Sequence, residues 1–200
     1  MHRFVWDMHY QPVSGAPQFL DANQAVRHNT PVAASSPWIM PGRYTVRLTV
    51  DGQRYTQPLT VKMDPRVHTS QAALQEQFDA SMRAYHESLA VSAALGRIRV
   101  LEKQIAAGKA SVRLAPYRRQ LEALSGPEST SRYAFFFHHG PPTLGSIEGS
   151  LQMLMRRMQG ADRAPTAAEM EALQQIGSQY KVLMRRWEKL QSRSVAGPRA

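Results

Sequence analysis

Arg43-Tyr44-Thr45-Val46-Arg47-Leu48-Thr49-Val50-Asp51-Gly52-Gln53-Arg54-Tyr55-Thr56-Gln57-Pro58-Leu59-Thr60-Val61 is the stretch on which the fold reading turns. Its first half alternates with period two, which puts Tyr44, Val46, Leu48 and Val50 on one side of a strand. Arg43, Thr45, Arg47 and Thr49 fall on the other side, so the apolar side is expected to face a core. Asp51-Gly52 supplies two residues that accept positive φ, the requirement of a tight two-residue hairpin turn. The return strand contains Pro58, which has no N–H for a ladder and so predicts an edge or a bulge.

Toward the amino terminus, Phe4-Val5-Trp6-Asp7-Met8-His9-Tyr10 alternates in the same way. It is expected to be another strand, with Phe4, Trp6, Met8 and Tyr10 on one face. The stretch from Gln11 to Met40 is rich in Pro, Ser, Ala and Asn and reads as loop. Residues 1–66 are therefore expected to form an antiparallel, Greek-key-like β module. A sandwich of this kind has about seven strands and only three are signalled here, so the module is expected to be partial.

Toward the carboxy terminus, the period changes to 3.6 after Asp64-Pro65-Arg66, which reads as the joint between sheet and helices. Thr69 or Ser70 is placed to cap a helix over 70–107, with Leu74, Phe78, Met82, Tyr85, Leu89, Leu95, Ile98, Leu101 and Ile105 as its apolar stripe. A short helix is expected from Leu114 to Leu124, with Pro116 in its first turn and Gly126 beyond its end. Residues 126–142 read as irregular, although Tyr133-Ala134-Phe135-Phe136-Phe137 must find cover. A third helix opens near Thr143 and closes at Gly160, lined by Leu144, Ile147, Leu151, Leu154, Met155 and Met158. Thr166-Ala167-Ala168-Glu169 is a capping box behind Pro165. The helix it opens carries Met170, Leu173, Ile176, Tyr180, Leu183, Trp187 and Leu190. Residues 67–200 are thus expected to be an antiparallel helical bundle, and the whole chain α+β.

Composition narrows the chemistry. The 200 residues contain no cysteine, which excludes disulfides, thiolate metal sites and cysteine nucleophiles. No run of about 18 apolar residues suggests a membrane span, and the first residues lack the apolar core of a signal peptide. The net charge of +10 is spread along the chain, with its densest clusters in Arg118-Arg119, Arg156-Arg157 and Arg185-Arg186. Each pair shares a segment with an apolar stripe, so a solvated helix face is the expectation in preference to a nucleic-acid groove.

No catalytic, cofactor-binding or metal-ligating residue is expected. Glycoside hydrolysis needs two carboxyl groups held about 5–9.5 Å apart, and Glu76, Asp79, Glu87, Glu102, Glu122, Glu169, Glu171 and Glu188 mostly lie opposite the apolar stripes. Asp64 reads as the partner of Arg66 or as a helix cap. His138-His139-Gly140 lacks the i+4 spacing of a helical metal pair, and His68 and His86 are solitary. Ser146, in Gly145-Ser146-Ile147-Glu148-Gly149, lacks the spacing of a nucleophile elbow. Glycine-rich phosphate loops are absent, and Tyr180 and Trp187 read as core.

Several strings carry a resemblance. Arg3-Phe4-Val5-Trp6-Asp7, Pro41-Gly42 through Asp51-Gly52, Tyr55-Thr56-Gln57-Pro58-Leu59-Thr60-Val61, Asp64-Pro65-Arg66-Val67, Gln159 through Thr166 and Trp187 together resemble bacterial sortilin-like proteins with BNR (Asp-box) repeats. Those proteins are often labelled glycosyl hydrolases. The likeness is weakest over residues 11–40 and 108–142. It implies an exported protein in which a β-propeller precedes an Ig-like strand module and a helical segment, this chain corresponding to the last two. The propeller's Ser-x-Asp-x-Gly-x-Thr-Trp box is absent here, so no catalytic residue carries over.

The resulting expectation is a non-catalytic accessory or interaction module, the detached carboxy-terminal part of a periplasmic or extracellular propeller protein. Its β module would be a partial Ig-like sandwich beginning in mid-strand. Its partner would be protein, either the parent propeller or another subunit. An inert part or relic of a glycoside hydrolase and a basic nucleic-acid-binding protein are the alternatives.

Overall fold

The computed structural model describes residues 6–13, 36–107, 114–126 and 140–195. Over these residues the chain is mixed α+β. An antiparallel pair of strands, β1 (Gly42–Val50) and β2 (Gln53–Val61), is followed by four helices: α1 (Gln71–Ala107), α2 (Ala115–Ser125), α3 (Leu144–Met158) and α4 (Ala167–Val195).

The hairpin forms where the sequence places it. Val50 faces Gln53 across the turn and the register runs without a bulge to Gly42 opposite Val61. Asp51 and Gly52 both have positive φ, 49° and 78°, the geometry that matches the right-handed twist of the strands. In a two-residue hairpin the closing pair exchanges both backbone hydrogen bonds, and such pairs then recur at every second position. Pro58, opposite Thr45, therefore falls in a non-hydrogen-bonded pair, and its missing N–H lies on the outer edge of β2.

Two expectations for the β region are corrected. Trp6–Tyr10 is not a strand: Asp7 Oδ1 accepts the His9 N–H at 3.1 Å, Trp6 Nε1 donates to the His9 carbonyl at 2.9 Å, and Met8 turns to a φ of 64°. A short polar side chain that captures a backbone N–H two residues on competes with extended pairing. Only His9 bridges Trp38, flanked by Tyr10 N–H to Pro37 O and Ile39 N–H to Met8 O, both 2.9 Å. Nor does the apolar side of β1 face a core: Val46, Leu48 and Val50 are 50%, 59% and 46% exposed. Among the described residues the sheet is two-stranded, and no helix approaches it within contact distance.

The core lies among the helices. Ser70 caps α1, its Oγ accepting the Ala73 N–H at 3.2 Å. The buried positions of α1 include Leu74, Gln77, Ser81, Ala84, Ser88, Val91, Leu95 and Ile98. These recur at alternating three- and four-residue steps, the spacing of a helix-packing seam. The expected stripe is therefore turned over the first half of the helix, where Leu89 is exposed and Phe78 and Met82 are half-buried. Small and polar residues occupy the seam there and let α3, the main partner of α1, come close.

The remaining helices begin as read from sequence and bury most of their stripes, but on α4 Ile176 and Tyr180 are half-buried and Met170 is 37% exposed. Leu144, Ile147, Leu151, Leu154, Met155 and Met158 of α3 are buried, as are Leu173, Leu183, Trp187 and Leu190 of α4. Gly126 ends α2 at a φ of 82°, and a Cβ there would meet Thr143 Oγ1, the cap of α3, at 2.5 Å. Glycine is thus needed twice at this corner, for the backbone and for the close approach. The apolar run Tyr133–Phe137 lies outside the described residues.

Residues on the amino-terminal side are fastened to these helices. Val13 is buried in the helical core. Tyr85 Oη donates to the Gln11 carbonyl at 2.8 Å, and Tyr10 packs beside Phe78 and Tyr85, with 6.1 Å between ring centroids in each case.

The two halves are expected to differ in stability. Strand amides at Val46, Leu48 and Val61 should exchange with deuterium faster than the helical amides of Leu183 and Trp187. Trp187→Ala should cost about 3–5 kcal/mol in urea unfolding, whereas Leu48→Ser should cost under about 0.5 kcal/mol. Equal protection in both halves, or a large loss with Leu48→Ser, would place the hairpin in a core.

Candidate functional site

The residues most unlike a resting protein surface are on the hairpin. Paired positions share a face, so Tyr44 with Leu59, Val46 with Gln57 and Leu48 with Tyr55 form one side. Tyr44, Leu59 and Val61 are half-buried at the root, while Val46, Leu48, Val50 and Tyr55 (55% exposed) stand in solvent toward the tip. Tyr44 Oη donates to the Met40 carbonyl at 2.5 Å and ties the root to the preceding segment.

The other side carries Arg43, Arg47 and Arg54 among Thr45, Thr49, Thr56 and Thr60. None of the three arginines forms an ion pair with a described residue. The hairpin's one carboxylate, Asp51, is at the turn. Among the described residues the sheet is two-stranded, with an apolar face, a cationic face and no further strand along either edge.

The residues singled out for chemistry are occupied structurally. Asp64 is held by Arg66, with Nη2 at 2.6 Å, Nε at 3.0 Å and the Arg66 backbone N–H at 2.9 Å from its oxygens. That side-chain hydrogen bond keeps its carboxyl below the usual carboxylate range. The Val67 N–H closes the same turn on the Asp64 carbonyl at 2.9 Å. Asp64-Pro65-Arg66 therefore shapes a surface turn, and no sheet–helix contact passes through it.

Ser146 is spent in a capping box: its Oγ accepts the Thr143 N–H at 2.9 Å, and Thr143 Oγ1 accepts the Ser146 N–H at 3.2 Å. His68 and His86 are exposed, and His138-His139 lies outside the described residues. No group of three His, Asp or Glu among the described residues is arranged to hold a metal ion. No described helix is long and apolar enough to cross a membrane.

The carboxylates divide by helix face. Glu76, Asp79, Glu122, Glu171 and Glu188 are exposed. Glu87, Glu102 and Glu169 are half-buried, and Glu87 meets Arg83 Nε at 3.2 Å. Glu148, which the helical stripes did not single out, sits half-buried on α3. Burial raises its pKa, opposed by a hydrogen bond with Ser92 and by the charge of Arg99. The signal for it was available in the sequence: it follows Ile147 directly, so it borders the apolar stripe of α3.

Two shallow grooves lie between α1 and α4. One, of about 420 Å³, is lined by Ala93, Gly96, Arg97, Val100, Leu101, Trp187 and Gln191. The other, of about 660 Å³, has Glu171 as its one carboxylate, beside Arg83 and Lys181. Neither brings together the two acids that glycoside hydrolysis requires.

Comparison with protein-family models, with curated proteins and with solved structures finds no match to the chain.

The best-built charged cluster is at the start of α4. Arg163 forks onto Glu169, Nη2 to Oε1 at 2.8 Å and Nη1 to Oε2 at 2.9 Å. Oε2 also accepts the Thr166 N–H at 2.8 Å, while the Glu169 N–H reaches Thr166 Oγ1 at 3.2 Å. The Arg163 hydrogen bonds lead in lowering the Glu169 pKa, to about 2. A depressed folded-state pKa gives stability that is present above the unfolded value, near 4.5, and lost as pH falls through about 2. Glu169→Gln should therefore cost about 1–3 kcal/mol at pH 7. The difference from wild type should shrink below about pH 4 and vanish near the folded-state pKa, as followed by urea unfolding across pH. A cost that does not change with pH would mean that the charge of Glu169 is immaterial.

Proposed function

We propose that the chain is a non-catalytic interaction module in which a helical platform presents the β1–β2 hairpin to a protein partner. One observation carries the reading: Val46, Leu48, Val50 and Tyr55 form an apolar face that is about half exposed and that no described helix covers. Monomeric proteins seldom leave a contiguous apolar strand face in water, and when they do it commonly marks an interaction site. A two-stranded hairpin is also marginal alone, so a partner that completes the sheet would stabilise it.

The parent in this proposal is an exported propeller protein of the sortilin-like, Asp-box kind, with this chain as its carboxy-terminal part. The partner is the propeller or another subunit. The support is the set of strings that resemble that family, above all Pro41-Gly42 through Val61 and Asp64-Pro65-Arg66. The finer architecture belongs to the same proposal: the hairpin is part of an Ig-like sandwich, and the helices are an antiparallel bundle. Any glycosidase chemistry would then belong to the propeller.

Two measurements test the module itself. The purified chain should turn over no glycoside, ester or peptide substrate. Turnover abolished by Asp64→Asn, Glu148→Gln or Glu169→Gln, in a variant that remains folded, would make it an enzyme. The chain should also enhance bis-ANS fluorescence in its native state. Val46→Thr/Leu48→Thr/Tyr55→Thr should remove most of that signal while leaving the helical circular dichroism unchanged. An unchanged signal would show that the hairpin face is not the accessible apolar surface.

A further inference from the structure

The hairpin's two edges are not equivalent. With Val50–Gln53 as the closing hydrogen-bonded pair, Val46, Leu48 and Val50 direct their backbone groups inward to β2. Arg43, Thr45, Arg47 and Thr49 then direct theirs outward. On β2 the outward positions are Arg54, Thr56, Pro58 and Thr60, and Pro58 removes the donor in the middle of that row. An added strand therefore finds an unbroken ladder along β1 and a broken one along β2.

The faces specify the side chains such a strand would carry. One face continues Tyr44, Val46, Leu48 and Val50, and so takes apolar residues at every second position. The other continues Arg43 and Arg47, about 13 Å apart along the strand, backed by Arg54 across the sheet. These three cations have no carboxylate partner among the described residues. Opposite charges placed across neighbouring strands stabilise the pairing and like charges weaken it.

We infer that β1 takes up, by antiparallel strand addition, an extended acidic segment whose apolar residues alternate with Asp or Glu. This rests on the interaction-module reading and names its partner. A second copy of the chain fits the same edge less well. Two-fold pairing centred on Thr45 sets Arg43 against Arg47 and pairing centred on Arg47 sets Arg47 against itself, while pairing centred on Val46 sets both arginines against threonines and gives neither a carboxylate. The chain also carries a net charge of +10, which opposes close approach of two copies. Nucleic acid is disfavoured by geometry. Tyr44 and Tyr55, the residues able to stack on bases, are on the face opposite Arg43, Arg47 and Arg54, so one strand could not engage both.

The test uses the full chain and fluorescein-labelled nonapeptides followed by fluorescence anisotropy. One peptide alternates Val or Ile with Glu, the second has Lys in place of Glu, and a labelled single-stranded DNA is the third probe. The Glu peptide should bind at least tenfold more tightly than the Lys peptide. Arg43→Glu/Arg47→Glu should invert that preference, and Thr45→Pro, which removes one outward donor and none of the inner ladder, should weaken both by tenfold or more. Amide protection on binding should appear at Thr45 and Arg47 and not at Thr56 or Thr60. Equal affinity for the two peptides, protection confined to β2, or tighter binding of the DNA would overturn the inference. A chain that ignores the peptides but dimerises, and that Val46→Thr/Leu48→Thr makes monomeric, overturns it and leaves the interaction-module reading standing. If the peptides, a second copy and bis-ANS all fail to engage the hairpin, both readings fall.

Discussion

The carboxy-terminal end of α3 is the point from which the rest of the arrangement is held. A helix end leaves carbonyls without intrahelical partners, and burying them unsatisfied is costly. Gln77, 8% exposed on α1, answers this directly: its amide Nε2 donates to the Met158 carbonyl and to the Ala161 carbonyl, the latter at 2.5 Å. One residue on, Gln159 Nε2 donates to Ser81 Oγ at 2.7 Å while its Oε1 accepts the Trp38 N–H at 3.0 Å. Thr69 Oγ1 reaches the Asp162 carbonyl just beyond. Three stretches distant in sequence are thereby fixed at one place, and the crossing of α1 with α3 is set by hydrogen bonds as well as by apolar fit.

That hub explains why the hairpin can stand away from the helices. Both of its roots are anchored: Trp38 through Gln159 on one side, and Thr69 through Asp162 on the other. Tyr44, Leu59, Val61 and Met63 are half-buried near these roots. Burial then falls away toward Asp51-Gly52, where no described helix packs on either face. The helices carry their own core without the sheet, since Leu121, Leu144, Ile147, Leu151, Met155 and Leu173 are essentially inaccessible. The hairpin is thus free of a packing role in that core, and its surface can be specified by what it meets.

The same division accounts for the distribution of charge. Several carboxylates on the helices are ion-paired, as with Glu169 under Arg163, Glu122 under Arg118 at 2.7 Å and Glu87 beside Arg83. The arginines of the hairpin have no such partner among the described residues. A carboxylate used as a cap or in a fork has its lone pairs engaged by fixed donors, which suits stability and leaves little for general acid–base work.

The sequence by itself determined the elements whose signals are local. Asp51-Gly52 set the turn and so the register of both strands, because positive φ at two successive residues has few other uses. Thr166 and Glu169 set the start of α4, and Gly126 the end of α2, because capping needs only atoms a few residues apart. The stripes of α3 and most of α4 were legible because their buried faces are plainly apolar. Tertiary structure alone decided three things. Gln77, Ser81 and Ser88 are buried because the end of α3 and its side chains come to them, and hydrophobic periodicity scores such residues as surface. Trp6–Tyr10 stays out of the sheet because Tyr10 pairs with Pro37 and Met8 with Ile39, partners 27 and 31 residues away, although the Asp7 capture of the His9 N–H that turns it is local. The apolar face of β1 alternates like a buried strand, yet alternation records only that one side is apolar. Whether that side meets a core or waits for a partner depends on what else folds against it, and no described helix does.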